Sequence, residues 1–197
     1  MTPTTLPLPY QGTMAGFRRF SVAEYHRLIE LGILTEDDNL ELLEGYLVHK
    51  MARNPPHDVA IQKTNKRLVR LALTGWEVRC QSAITLAKSE PEPDFAIVRG
   101  DETTYLARHP SPTDIGLVIE VSDSTLPGDR DDKGPIYASA GIPIYWIVNV
   151  QDRWVEVYSA PLGGVYGRRV DFGMGQAIPL LLDGVTVGQI PADEMLP

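Results

Sequence analysis

Two acidic residues lie in or beside apolar segments, where a carboxylate needs a partner. Glu120 lies inside the run 117–121 (Leu-Val-Ile-Glu-Val), and Asp94 directly precedes the apolar run 95–98. A buried carboxylate is costly unless it is paired with a cation or hydrogen-bonded. Two carboxylates that meet on a sheet make an oxygen-rich site of the kind that Mg²⁺ or Mn²⁺ prefers. We therefore predict Asp94 and Glu120 as metal ligands, with the backbone carbonyl of Val121 as a third candidate.

A lysine follows Glu120 on the helix that the pattern predicts next. Lys133 comes directly after the acidic segment 129–132 and four residues before Tyr137. An ammonium group beside a metal ion can orient an attacking water or stabilise negative charge on a phosphoryl oxygen. Two structural alternatives stay open: an ordinary surface lysine, or a lysine paired with Glu120 and no metal bound. The acidic segment is expected to be a solvated helix start, with Asp129 as a candidate support for the preceding loop.

The composition is that of an ordinary globular domain. The chain has 197 residues, of which 43% are hydrophobic and 22% charged, so one domain with a sizeable core is expected. The net charge of −8 and a single local basic run, residues 63–70, argue against a protein that coats nucleic acid. They argue less against a metal-dependent nuclease, because the ion itself supplies positive charge at the phosphate.

The single cysteine and the N-terminal segment bear on the compartment. Cys80 has no partner for an internal disulfide, which favours a reducing compartment. Residues 1–16 lack the basic and apolar regions of a signal peptide, and no apolar stretch is long enough to span a bilayer. We expect a cytoplasmic protein with no membrane partner.

The elements that must position the acids and the lysine follow from hydrophobic periodicity and turn residues. The predicted helices cover 21–31, from Pro55 to Gly75, and 129–140; the predicted strands lie within 40–48 (two, around Glu44-Gly45), 76–86, 94–98, 115–121, 144–150, 153–158 and 180–187. This order predicts an α+β fold in which helices and extra β-hairpins flank a mixed central sheet. Residues 1–16 are predicted to be a flexible arm and residues 17–197 a single domain.

The ordered series of motifs resembles the Uma-two family, which belongs to the PD-(D/E)xK nuclease superfamily. The matching motifs are Pro93-Asp94, Ile119-Glu120-Val121-Ser122, Asp129-Arg130, Lys133, Tyr137-Ala138, Ala140-Gly141-Ile142-Pro143 and Tyr145-Trp146-Ile147-Val148. The resemblance covers about residues 20–190. It implies a restriction-endonuclease-like fold and a DNA endonuclease that uses Mg²⁺ or Mn²⁺. Because many nucleases of the superfamily act as dimers, a homodimer is also expected, with exposed Ile and Val of the C-terminal hairpins at its interface.

Three positions need comment against the family pattern. The superfamily lysine comes two residues after the second acid, where this chain has Ser122, so the resemblance implies that Lys133 supplies the amine from the neighbouring helix. The family's early acid is matched by the motif Glu41-Leu-Leu-Glu44-Gly45, which implies a catalytic role for Glu41, with Glu44 as the alternative. Ile144 stands where the family commonly has a glutamate before Tyr-Trp.

Several other polar and aromatic residues have ordinary structural interpretations. His57 follows Pro55-Pro56, where it could contact a substrate phosphate or take part in a helix-start hydrogen bond. The remaining histidines lack the spacing of metal ligands. Tyr137, Tyr145 and Trp146 are expected in the core rather than at a surface that stacks on bases.

Two functions from different classes are consistent with these residues. The first is a metal-dependent endonuclease in which Asp94 and Glu120 bind the ion, Lys133 stabilises charge and Glu41 completes the site. The second is a non-catalytic domain of the same fold, whose buried polar network serves to bind a partner.

Overall fold

The computed structural model describes residues 17–51, 54–71 and 73–197. The predicted flexible arm, residues 1–16, lies outside the described residues. The helices are α1 (Val22–Glu30), α2 (Pro55–Arg70), α3 (Leu126–Gly128) and α4 (Gly134–Ser139), and a π-helical turn, Asp129–Lys133, joins the last two. The strands are β1 (Leu40–Leu43), β2 (Tyr46–His49), β3 (Trp76–Cys80), β4 (Phe95–Arg99), β5 (Ile115–Ser122), β6 (Ile144–Asn149), β7 (Trp154–Leu162), β8 (Val165–Gly173), β9 (Ala177–Leu182) and β10 (Val185–Pro191).

The central sheet has six strands in the order β3-β4-β5-β6-β7-β8. β5 and β6 are parallel, and the other neighbouring strands are antiparallel. The pairs β1-β2 and β9-β10 are separate antiparallel hairpins. This mixed sheet with helices and extra hairpins confirms the predicted fold class.

Each face of the sheet has its own hydrophobic core. One core joins α2 and the β9-β10 hairpin to the sheet through Leu68, Ile119 and Leu180. The other joins α4 to the opposite face through Tyr137 and Val118. β5 is buried along its whole length because both faces are covered.

The local signals for α1 and the tight hairpins are confirmed. Ser21 is the N-cap of α1 and forms a capping box with Glu24. Glu44 and Gly45 turn β1 into β2 with φ of 49° and 82°, the left-handed pair that a two-residue hairpin needs. The predicted Asp-Gly turn at Asp183 lies between β9 and β10.

Other predicted element boundaries are wrong. The strand predicted over 76–86 ends at Cys80, since Gln81 adopts a left-handed φ of 48° and breaks the ladder. The segment that follows is irregular, and its apolar residues Ile84 and Leu86 pack into the core beside α4. α2 ends at Arg70 rather than at Gly75.

The third predicted helix and the edge of the sheet also differ from the expectation. The helix predicted over 129–140 begins earlier, at Leu126, and contains the π-helical turn. β8 was not predicted, although it pairs with β7 along nearly its whole length. Its solvent-exposed residues leave only a weak alternating pattern. Within the described ranges, no helix combines the length and apolar character needed to cross a membrane.

A glycine in β5 gives a test of the packing around the central strand. A Cβ on Gly116 would lie 2.7 Å from the side chains of both Trp76 and Leu182. We therefore expect Gly116→Ala to lower the free energy of unfolding by about 1–3 kcal/mol through overpacking, measured by urea denaturation. Gly173→Ala is the matched strand control, because its Cβ would meet nothing closer than 3.8 Å. A Gly116→Ala variant as stable as the wild type would contradict the packing.

Candidate functional site

Four of the predicted site residues line one pocket of about 380 Å³. Glu41 comes from β1, Asp94 directly precedes β4, Glu120 lies in β5 and Lys133 ends the π-helical turn. Their side chains are only 6%, 11%, 4% and 15% exposed, in that order. Val121, the fifth predicted residue, lines the same pocket. Residues far apart in the sequence thus meet at one end of the sheet.

The register between β4 and β5 places Asp94 beside Glu120. Phe95 pairs with Ile119. Asp94, directly before β4, therefore lies opposite Glu120 on β5. The Val121 N–H donates to Asp94 Oδ2 over 2.8 Å. The Asp94 N–H lies 3.4 Å from Glu120 Oε2, which makes it at most a weak donor. Both carboxylates therefore face one point on the sheet.

The ammonium of Lys133 lies between two carboxylates from different elements. Its Nζ is 3.0 Å from Glu120 Oε1 and 3.5 Å from Glu41 Oε1. Glu41 Oε2 also accepts a hydrogen bond from the Glu92 N–H over 3.1 Å. Glu44, the alternative early acid, lies in the β1-β2 turn and lines a neighbouring pocket instead. The geometry thus brings Glu41, and not Glu44, to Lys133.

Burial and neighbouring charges both shift the pKa values of Glu120 and Lys133. Burial raises the pKa of Glu120 to about 8, although Lys133 opposes the shift. Burial alone would lower the pKa of Lys133, but the negative charges of Glu120 and Glu41 outweigh it and keep that pKa above its ordinary value. Lys133 therefore acts as a fixed cation and hydrogen-bond donor, and not as a general base.

Tyr137 belongs to the site as well as to the core. Its buried hydroxyl donates to Glu120 Oε1 over 2.7 Å. The sequence pattern predicts a core residue, which is correct for the burial of Tyr137 but misses its hydrogen bond. The available signal was the spacing of four residues from Lys133, which places two side chains on one helical face.

Asp129 differs from the expectation of a solvated helix start. It is buried, and its carboxylate accepts hydrogen bonds from Ser122 over 2.6 Å and from Thr125 over 2.8 Å. Burial raises its pKa, and Lys133 opposes that shift. Asp131 and Asp132 are exposed, as predicted for the acidic segment. Asp129 thus holds the loop after β5 against the helix that carries Lys133.

His57 lies at the edge of the pocket, at the start of α2. Its Nε2 is 3.6 Å from Asp94 Oδ2, and its backbone N–H donates to the N-cap residue Asn54 over 3.1 Å. The helix-start hydrogen bond therefore involves the backbone of His57, while the side chain reaches the pocket.

The basic run on α2 is partly committed to holding the C-terminal segment. Lys63 donates to the carbonyl of Leu196, and Arg67 pairs with Glu194 over 3.1 Å. Lys66 and Arg70 are exposed. The run is therefore a poor candidate for a continuous phosphate-binding track.

The donors around the pocket suit a hard cation that keeps part of its water shell. Among the described residues, no three His, Cys, Asp or Glu side chains are gathered closely enough to hold an ion by themselves, which disfavours a closed zinc site. Mg²⁺ needs only one or two carboxylates together with waters. Asp94 and Glu120 meet that requirement. The Val121 N–H faces Asp94, and the carbonyl of a strand residue leaves on the same side.

Comparison with known proteins gives a family and a related structure. The sequence model of the Uma2 family, described as "Putative restriction endonuclease", matches residues 22–188. The crystal structure of "a putative nuclease belonging to DUF820" from Anabaena variabilis has a TM-score of 0.65 and 14% sequence identity, over 85% of this chain and 96% of that chain. At this identity the likeness shows the fold alone. No curated protein matches the chain.

Removal of the Lys133 ammonium tests the electrostatics of the site. Because the pKa of Glu120 rises from 4.5 to about 8 on folding, the free energy of unfolding falls as pH rises through that window. Lys133→Met should make the free energy of unfolding fall more steeply with pH. Urea denaturation should show a loss of about 3–5 kcal/mol in this free energy near pH 8 and a smaller loss near pH 5. The exposed Lys88 offers a control, Lys88→Met. Equal losses at both pH values would contradict the burial of a charged carboxylate.

Proposed function

The chain belongs to the Uma2 family, whose description reads "Putative restriction endonuclease", and on that premise we propose that it is a metal-dependent endonuclease that hydrolyses DNA. Family membership supports a nucleic-acid substrate and a nuclease activity. The observation that carries the finer proposal is the pocket that Asp94 lines and in which the ammonium of Lys133 pairs with Glu120 and Glu41.

We assign the metal-binding role to Asp94, Glu120 and the carbonyl of Val121. Mg²⁺ or Mn²⁺ held there would polarise the scissile phosphate and lower the pKa of a bound water. In the present arrangement Lys133 and Tyr137 share Oε1 of Glu120. Oε2 of the same carboxylate faces Asp94, and within the described part of the chain its one hydrogen-bond contact is the weak one with the Asp94 N–H. This oxygen is therefore the one best placed to accept a cation.

We assign separate roles to three other side chains of the site, those of Lys133, Glu41 and Tyr137. Lys133 stays protonated, so its ammonium can hold the attacking water or stabilise negative charge that develops on a phosphoryl oxygen. Glu41 pairs with the same ammonium over 3.5 Å, and its position in the lining of the pocket lets it accept a hydrogen bond from a water. Tyr137 orients Glu120 by donating to it from the core.

The charge of the pocket supports a requirement for a metal. Among the described residues, the acidic lining is Glu41, Glu92, Asp94, Glu120, Asp123, Asp129 and Asp132, and the basic lining is His49, Lys50, His57 and Lys133. Lys50 is paired with Glu92 over 2.7 Å. A phosphodiester would be repelled by this surface unless a cation lay between them.

One observation favours the alternative, a non-catalytic domain that binds a partner. Lys133 pairs with both Glu120 and Glu41, so these buried charges can compensate one another within the protein. Calorimetric titration separates the two functions. The nuclease should bind Mg²⁺ or Mn²⁺ and lose that binding on Asp94→Asn, whereas a purely structural network should bind neither ion.

Loss of either proposed metal ligand tests catalysis directly. Asp94→Asn and Glu120→Gln should each reduce metal-dependent cleavage of plasmid DNA by roughly 10³-fold or more while the protein remains folded by circular dichroism. Glu41→Gln should also impair cleavage.

The matched control is Glu44→Gln, which makes the same change of charge in the same hairpin but outside the pocket. It should cleave like the wild type. A folded Glu120→Gln variant that cuts DNA at the wild-type rate would sink the proposal.

We also propose that the nuclease forms a homodimer through its C-terminal hairpin. Val185 and Val187 are 62% and 41% exposed on β10, which supports an interface there. Ile178 and Ile190 are buried, so the expectation that isoleucines contribute is wrong. Analytical ultracentrifugation should show a dimer that Val185→Glu dissociates. A wild-type protein that sediments as a monomer at every concentration would contradict this.

A further inference from the structure

A buried ionic cluster lies behind the helical turn that carries Lys133. Its centre is Glu156 on β7, whose side chain is fully buried. Five side chains surround this carboxylate: Arg130, Asn149, Trp154, Tyr158 and Arg169. A buried carboxylate with so many donors is an anchor of fixed charge, because each donor favours the ionised form.

Arg130 makes the most extensive of these contacts. Its Nε donates to Glu156 Oε2 over 3.0 Å, and its Nη2 donates to Glu156 Oε1. Burial alone would raise the pKa of Glu156, but the hydrogen bonds from Arg130 and the other donors outweigh burial and lower that pKa to about 2. The carboxylate is therefore charged at neutral pH and binds the Arg130 guanidinium through two hydrogen bonds, one to each oxygen.

The position of Arg130 in the chain gives this contact its significance. Arg130 lies in the π-helical turn and three residues before Lys133. The turn is closed by a hydrogen bond from the Gly134 N–H to the Asp129 carbonyl, across five residues. Pro135 follows and has no N–H for the α-helical bond. A turn of this kind is an irregular helix segment that needs support from outside.

The direction of the Lys133 side chain depends on the register of that turn. A shift of one residue rotates a helical side chain by about 100°. Such a shift would move the ammonium away from Glu120 and Glu41. Contacts between the turn and the sheet hold the register. Among the described residues, Arg130–Glu156 is the ion pair of this kind that does not involve Lys133 itself, and the Asp129 carboxylate accepts a further hydrogen bond from Ser122 on β5. Tyr145 adds a hydrogen bond from its hydroxyl to the Asp129 carbonyl over 3.0 Å.

We propose that Arg130 and Glu156 are positioning residues, which fix the π-helical turn so that the ammonium of Lys133 points at Glu120 and Glu41. This inference rests on the proposed function for its catalytic consequence, but its structural content can be tested separately. Arg169 gives a matched control. It also approaches Glu156, over 3.3 Å, but it comes from β8, and no contact with the turn itself is seen for it among the described residues.

The experiment observes Lys133 itself by NMR of the full chain labelled with ¹⁵N-lysine. The chain has five lysines, so the side-chain ammonium signals are few, and Lys133→Arg assigns the one of interest. Arg130→Gln should shift or abolish the Lys133 signal, Arg130→Lys should restore it in part, and Arg169→Gln should leave it unchanged. The same Arg130→Gln protein should cut DNA with kcat reduced on the order of 10²-fold, at a nearly unchanged KM.

The outcomes separate this inference from the proposed function. A folded Arg130→Gln protein with an unchanged Lys133 signal overturns the positioning role, whatever its activity. An altered signal in Arg130→Gln but not in Arg169→Gln supports it, even where the wild type cuts no DNA and the proposed function fails. If Arg130→Gln does not fold, Arg130→Lys is the variant to measure. A lysine ammonium cannot bind both oxygens of Glu156 as the guanidinium does, so the Lys133 signal should still move. An unmoved signal overturns the positioning role.

Discussion

The carboxylate of Glu120, fixed in the middle of a strand that is buried on both faces, is the constraint on which the rest of the site depends. A charge in that position must be compensated, and the fold supplies the compensation from two separate elements, Lys133 and Tyr137. The β1-β2 hairpin then adds Glu41 on the far side of the ammonium. The arrangement leaves the side of Glu120 that faces Asp94 as the place where a second cation can bind.

Each surrounding element has a recognisable part in this arrangement. The antiparallel register of β4 and β5 brings Asp94 opposite Glu120, and the bridge between Leu42 and Glu90 ties the β1-β2 hairpin to the loop before Asp94. The helical segment after β5 is irregular at the π-helical turn that contains Lys133. The sheet supports this turn through charged and polar contacts. The opposite face, with α2 and the C-terminal hairpin, contributes mainly core and stability, and its contact with the site is His57 at the start of α2.

The sequence is most informative where a pattern has one physical explanation. The apolar neighbours of Glu120 predict a buried carboxylate that needs a partner. The Glu44-Gly45 pair predicts a tight turn between two strands. Cys80 as the end of β3 was not predictable, because the left-handed residue after it is a glutamine, which carries no turn signal. The acidic pattern of residues 129–132 does not reveal that Asp129 is buried, although its hydrogen bonds to Ser122 and Thr125 agree with the predicted support of the preceding loop. The role of Glu156 depends on partners distant in sequence, such as Arg130, so local patterns do not reveal it. The family resemblance linked Lys133 to the acids; spacing alone did not.

The central claim is that the acids on β4 and β5 bind a divalent ion beside a fixed ammonium. A crystal structure of the protein grown with Mn²⁺, with anomalous difference data, tests it most directly. We expect one anomalous peak within ~2.5 Å of oxygens from Asp94, Glu120 and the Val121 carbonyl, with Lys133 still beside Glu120. A pocket without a peak at saturating Mn²⁺, or a peak bound only by other residues, would contradict it.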